Sequence, residues 1–300
     1  MSIQPSKPVH RQHTLARSVH CRGRGLHSAR HVRLILHPAP VGAGIVFRRS
    51  DLPAAAGEID ANWRRIVDSS YCTILGNDQG TRVRTVEHLL AALYALRIDN
   101  AVVELDGEEL PILDGSAAPF LELLDEAGVQ AQQASRRFLK ILRPMEIRSG
   151  PAIRRLVPGK RFLLSVTCRL PEMGPQRWTG AVTPEIFRQE IAPARAWGRL
   201  NTLWPVLLLG KLRLVPYLRG ASLGNAILIA GGRVINRGGL RMEGEFARHR
   251  ALDLLGDIAL AGAPILGRLA ARRGNHLMNA QLLRSLFAQP EAWEWVTGQE

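Results

Sequence analysis

Three hundred residues, 46% hydrophobic and 22% charged, can bury a sizeable core as one two-part unit or two domains. No apolar run reaches the roughly 18 to 20 residues that span a bilayer, and three scattered cysteines (Cys21, Cys72, Cys168) without a C-x-x-C argue against a disulfide framework or a Cys-type zinc site. The formal charge of +14 points to an anionic partner: nucleic acid, anionic lipid or a phosphorylated small molecule. Only 5% of residues are aromatic and none interleave with the basic ones, which weakens a single-strand-binding reading. Residues 1–12 lack the apolar core of a secretory signal, so the cytoplasm is the expected location and the first dozen residues are expected to be mobile.

In chain order, residues 13–49 alternate short apolar runs with turns at Gly23, Gly25, Pro38, Pro40 and Gly42. Residues 33–37 and 44–48 are expected as hairpin strands, and the polar, Pro/Ala-rich stretch 51–65 as a small insertion. Residues 70–75 read as a strand, followed by a turn at Gly76, Asn77 and Asp78. A helix should open near Thr85, with Glu87 and His88 in its first turn and leucines behind them. Residues 100–105 read as a buried strand. Ser116 is placed to cap a helix that runs to Ala127 and stops at Gly128. The domains are taken as 1–134 and 135–300.

The second half is expected to hold strands at 138–147 and 161–170, and a helix start at Thr183 and Pro184. A strand at 221–230 and a turn at Gly231 and Gly232 follow, while 203–215 is apolar but broken by Pro205, Gly210, Lys211 and Arg213. Phe246, Leu252, Leu255 and Ile258 then fall at near-helical spacing, predicting a helix over 245–260. A strand expected at 264–270 and a turn at Gly274 and Asn275 lead to a closing helix, 276–288. Strands and helices segregate, so the fold class is α+β.

Two of these helices carry chemistry. At 3.6 residues per turn His249, Asp253 and Asp257 lie in one column. An imidazole and a carboxylate one turn apart can close on a divalent ion, and zinc accepts both; a solvated salt-bridge face beside Arg248 and Arg250 fits the same spacing. In the earlier helix a buried Glu87 next to a buried His88 needs a reason, because unpaired charge inside a protein is costly. One is a metal held by His88 while Glu87 handles a metal-bound water. The other is a core histidine beside a salt-bridged glutamate.

The motifs form a recognisable series: Gly25-Leu26-His27, Thr85-Val86-Glu87-His88-Leu89, Ile98-Asp99-Asn100, Leu113-Asp114-Gly115-Ser116-Ala117-Ala118-Pro119-Phe120, Arg248-His249-x-x-x-Asp253-x-x-Gly256-Asp257 and Gly274-Asn275-His276-x-x-Asn279. In this order and spacing, over residues 13–296, the chain resembles the UDP-3-O-acyl-N-acetylglucosamine deacetylases, zinc enzymes of lipid A biosynthesis. The resemblance implies two similar domains, each a β-sheet layered on helices, with the helices sandwiched between the two sheets. It implies one Zn2+ (Fe2+ or Co2+ being permitted) on His88, His249 and Asp253, three ligands that leave the open position of a catalytic site. Glu87 matches the general base, His276 the general acid and Asp257 its carboxylate partner. Substrate-binding positions match Arg250, Arg273, Trp197, Arg199 and His27. Asp114, as a partner of a ligand histidine, and Cys72 are near-site candidates, with a turn residue and an inert buried thiol as the alternatives. The implied partner is a UDP-linked acylated sugar, with no nucleic acid, at most peripheral membrane contact, and a monomeric chain.

The chain also departs from the family pattern. Residues 194–199 read Ala-Arg-Ala-Trp-Gly-Arg where the family has Ala-Arg-Thr-Phe-Gly-Phe. Ala196 therefore lacks a hydroxyl thought to bond the oxyanion, a loss worth roughly 2.7–4 kcal/mol in transition-state stabilisation. Arg199 replaces an apolar residue of the acyl passage, and Arg250 and Arg273 replace lysines, which an arginine's planar fork does not reproduce. Hence the expectation of a divergent member: a slower deacetylase, a paralogue acting on another amide, or a non-catalytic nucleotide-sugar-binding regulator.

Overall fold

Strand His31–Pro38 buries alternate residues, with Val32, Leu34 and Leu36 inward and His31 and Arg33 outward, as a sheet with one covered face requires. It lies in a five-stranded sheet of order Val19–Arg24, His31–Pro38, Ala101–Leu105, Ile45–Arg49, Glu58–Asp60. The structure, a computed structural model describing residues 10–171 and 173–298, thereby corrects the expected hairpin. Ala101–Leu105 inserts between the two strands, antiparallel to the first and parallel to the second. Its Ala101, Val103 and Leu105 are fully buried, so it takes the central place. The link over residues 39–44 is long enough to step across one intervening strand of about 5 Å spacing.

The second large sheet runs Met145–Ser149, Ala152–Pro158, Ile265–Arg272, Arg137–Ile141, Trp293–Thr297. Ile265–Arg272 also pairs through its C-terminal part with Leu163–Leu170, which carries Gly174–Ala181 at its side. The expected strand over 138–147 is two strands, because Pro144 offers no amide hydrogen to continue the ladder. The expected strand over 70–75 shrinks to Ile74–Gly76, and that over 221–230 to Ile227–Ala230. Arg11–Leu15 is paired with Val129–Ser135, so the expected mobility does not hold for Arg11 and Gln12; residues 1–9 lie outside the described residues. Among the described residues, every strand pairing stays within residues 11–135 or within residues 137–297.

Five helices matter to the site: α1 (Glu87–Ala95), α2 (Ala118–Ala127), α3 (Leu200–Lys211), α4 (Glu245–Ala259) and α5 (His276–Phe287). The α1 helix opens at Glu87 rather than at Thr85, whose φ of 59° is left-handed and cannot be helical. Ala117, not Ser116, is the α2 cap residue, although the Ser116 hydroxyl still accepts from the Ala118 amide. The α3 helix spans the stretch that the sequence left as broken; it holds Pro205 inside it and forgoes one backbone bond there, to the Asn201 carbonyl. Asn275 caps α5 by accepting from the Met278 amide. No helix among the described residues is long and apolar enough to cross a membrane.

The crossing of α1 and α4 joins the two parts of the chain. Gly256 meets the backbone of Glu87 so closely that a methyl group there would overlap the Glu87 carbonyl. On its other sides α4 packs against α5 and the strands Leu163–Leu170 and Gly174–Ala181.

Candidate metal and catalytic site

The α4 column and the first turn of α1 meet at this crossing. His88, His249 and Asp253 are all buried, and each offers a ligand atom within 4.8 Å of the others. The Asp253 Oδ1 atom lies 3.3 Å from His249 Nε2 and 3.7 Å from His88 Nε2. The Ala194 carbonyl sits 3.1 Å from His249 Nδ1, which favours the tautomer with its hydrogen on Nδ1 and leaves Nε2 as a lone-pair donor. Burial, helped by the neighbouring His249, pushes the His88 pKa down to about 3, and burial also lowers that of His249. Burial would raise Asp253, but His249, His276, Arg250 and His88 outweigh it and bring the carboxyl to about 2. Two neutral imidazoles and one carboxylate are a donor set that suits a divalent metal.

Beside this group stands a second constellation. Asp257 lies one turn beyond Asp253, and its Oδ2 contacts His276 Nδ1 at 2.8 Å. The same oxygen accepts from the Asn279 amide at 2.7 Å, while Oδ1 accepts from the Thr73 hydroxyl. His276 Nε2 points back to Glu87 Oε1, 3.9 Å away. Burial alone would lower the His276 pKa, yet the Asp257 charge and hydrogen bond, with Glu87 and Asp253, raise it to about 10. Burial raises Glu87; the His276 charge offsets part of this, Asp257 and Asp253 add to it, and the carboxyl reaches about 8. The site thus pairs a proton-holding imidazole with a carboxyl poised near neutrality.

A cleft opens from His276 and Asp253 and is lined by three guanidinium-bearing residues, Arg154, Arg250 and Arg273. Arg250 donates to Asp253 Oδ2 at 3.2 Å and lies over the Trp197 ring, 4.7 Å from its centroid. Trp197 is fixed in turn by a hydrogen bond to the Phe246 carbonyl. Arg199 ends the strand Trp197–Arg199 and is not among the cleft-lining residues. His27 is buried edge-on to Tyr217, with Nδ1 accepting from the Leu218 amide, and burial drives its pKa to about 4, the nearby His276 charge adding to the fall. Ala196 commits its amide to the Gly115 carbonyl, so that amide does not stand in for the missing hydroxyl.

Asp114 does not partner a ligand histidine: its oxygens accept from Ser116 and Arg241. Cys72 is buried, and burial raises its thiol well above the usual range, as an inert thiol requires. Its neighbour Thr73 holds both Glu87, through its amide, and Asp257, through its hydroxyl. Sequence reasoning missed Thr73, where one polar residue in an apolar stretch was the only signal. It also missed Arg154, a buried arginine that donates to Asn279 Oδ1 at 2.7 Å. Inward-facing register on strand Ala152–Pro158 was the signal there. Thr85, Leu113 and Arg273, all with positive φ, stand shortly before Glu87, Asp114 and His276, so backbone strain gathers around the site.

The family model described as UDP-3-O-acyl N-acetylglycosamine deacetylase matches residues 12–288. Similar proteins named UDP-3-O-acyl-N-acetylglucosamine deacetylase include that of Vibrio vulnificus strain YJ016, 39% identical over 97% of this chain and 94% of its own. That of Phenylobacterium zucineum is 39% identical over 94% of this chain and 95% of its own. The Shewanella sp. strain W3-18-1 protein is 41% identical over 95% and 92%.

Proposed function

This chain belongs to the UDP-3-O-acyl-N-acetylglucosamine deacetylase family, and from that premise we propose a role for each residue of its site. The protein is a deacetylase of lipid A biosynthesis, a hydrolase that releases acetate from UDP-3-O-acyl-N-acetylglucosamine and leaves UDP-3-O-acyl-glucosamine. The observation that carries the residue assignment is the convergence of His88, His249 and Asp253 beside the Glu87–His276 pair.

His88, His249 and Asp253 would hold one Zn2+, and Fe2+ or Co2+ would fit the same donors. A bound divalent ion there supplies Lewis-acid polarisation of the amide carbonyl and acidifies water. Glu87 takes the proton of the attacking water. His276, charged over a wide pH range through Asp257, donates a proton from Nε2 to the leaving amine. Asn279 and Thr73 hold Asp257 so that it faces His276 Nδ1. Arg250 and Arg273 meet the diphosphate, Trp197 braces Arg250, and Arg199 lies toward the acyl chain. His27, packed edge-on to the Tyr217 ring, is assigned to substrate binding.

The finer reading of the fold is two domains, 1–134 and 135–300, whose helices lie between two sheets. The separate strand pairings and the α1–α4 crossing support it. We further read the protein as a cytoplasmic monomer that uses its basic cleft for a nucleotide sugar rather than nucleic acid. With the family shown, Ala196 and Arg199 are read as tuning rate and acyl fit within the deacetylase reaction, and neither another amide nor a regulatory role is favoured.

The test is acetate release from UDP-3-O-acyl-N-acetylglucosamine before and after metal removal. Chelation is expected to lower turnover at least about a hundredfold, and Zn2+, Fe2+ or Co2+ to restore it. The metal-free protein should also melt at a lower temperature, because a ion that binds only the folded state stabilises it. Unchanged turnover in fully metal-free protein would reject the ligand assignment.

Asp257→Asn tests the acid. The His276 pKa is raised to about 10 in the fold, so its proton is available below that pH and lost as the pH climbs through it. Removing the Asp257 charge should move the alkaline limb of kcat/KM down by about one pH unit or more. An unmoved limb would separate Asp257 from the acid.

A further inference from the structure

Between Glu190 and Glu243 the chain holds eight Lys and Arg residues and no Asp or Glu. Most of the excess positive charge is thus concentrated in about one sixth of the sequence. Within this segment α3 inverts the usual amphipathic pattern. Trp204, Leu208 and Leu212, at positions i, i+4 and i+8, are 55%, 51% and 59% exposed, and Leu214 just beyond them is 69% exposed. The opposite side of α3 packs on the small sheet formed by Trp197–Arg199, Ile227–Ala230 and Arg233–Val234. Lys211 and Arg213 interleave with the exposed leucines, and Arg233 and Arg237 are also exposed. Among the described residues none of these four cations pairs with a carboxylate.

We propose that α3 and the turn after it are a docking surface for the anionic lipid headgroup layer of a membrane. The apolar stripe suits the boundary between headgroups and acyl chains, where tryptophan and leucine side chains are taken up by an interfacial helix. The cations suit the negative surface that lies over that boundary. A second copy of the chain is a poor occupant, because it would bring the same acid-free basic segment against this one. A nucleic acid would leave the leucines uncovered. The surface lies next to Trp197 and Arg199, so docking would hold the mouth of the site near the phase in which acylated molecules collect.

Sedimentation of the full chain with vesicles tests this, independently of catalysis. The protein is expected to bind vesicles of phosphatidylglycerol and phosphatidylcholine in equal parts, and to bind pure phosphatidylcholine far more weakly. Trp204→Ser/Leu208→Ser/Leu212→Ser should weaken binding at least about tenfold. Arg213→Gln/Arg237→Gln should weaken it by about fivefold per cation lost. Both variants should keep the parental melting temperature, since the altered side chains face solvent, and Val129→Ser, on another exposed site, should bind as the parent does. The proposal is overturned if the parent stays in the supernatant with the mixed vesicles, or if it binds pure phosphatidylcholine equally well. It is also overturned if both multiple variants bind like the parent. A parent that is dimeric in solution, and made monomeric by the triple substitution, would give the surface to a second copy instead.

Discussion

Glu87→Gln is expected to lower kcat by about 10²–10⁴ while metal content and fold are kept. The glutamine has the same shape, and its amide oxygen can still accept from the Thr73 amide, a bond of 3.2 Å in the parent. What it cannot do is take a proton from water. The stability effect should have the opposite sign to the catalytic one. Glu87 is raised to about 8 by burial, so between the ordinary carboxyl value and pH 8 the folded protein holds a proton that the unfolded chain releases. Stability attributable to this group therefore falls as the pH rises through that window. A neutral amide removes this dependence, so metal-free Glu87→Gln should melt at or above the parental temperature at pH 8. Acetate release at the parental rate would refute the role of Glu87 as base.

Gly256→Ala is expected to destabilise the protein by about 3 kcal/mol or more, and to weaken metal binding with it. Two effects oppose each other here. Alanine improves helix propensity over glycine by about 1 kcal/mol. Against this, the new methyl group would overlap the Glu87 carbonyl, which is backbone and cannot swing aside as a side chain would. Relief requires α1 to move away from α4, which carries Glu87 and His88 away from His249 and Asp253. Overlap should win, lowering the melting temperature by about 6 °C or more. An unchanged or raised melting temperature, with normal metal affinity, would show that the helices do not cross so closely.

These two residues differ in how readable they were. Glu87 stood out because a charged residue opens a run of leucines and alanines, and burial of that run is inherent in its composition. Gly256 was visible only as part of a motif; nothing local says that a helix backbone will be pressed against it. The same division holds for the candidate ligands. His249 and Asp253 share a face because the helical period is a property of one continuous segment. His88 joins them through the packing of α1 on α4, between segments far apart in the chain.

Strands followed the same rule. Alternation in residues 33–37 marked a strand, but not its neighbour, since hydrogen-bonding partners are chosen by competition among all strands and Ala101–Leu105 won the central place. Val129–Ser135, with three glutamines and a serine among its seven residues, became a strand because Arg11–Leu15 offered it an edge. By itself, then, the sequence determined the α+β class, four of the five helices named above (α3, with Pro205 inside it, was not among them) and the candidate residues for the site. All of these rest on local periodicity, composition and motif order. Only the tertiary structure decided that Asp114 pairs with Arg241, that Thr73 ties Glu87 to Asp257, and that Arg154 stands behind Asn279. Those are contacts between distant segments, set by packing geometry that no short stretch of sequence encodes.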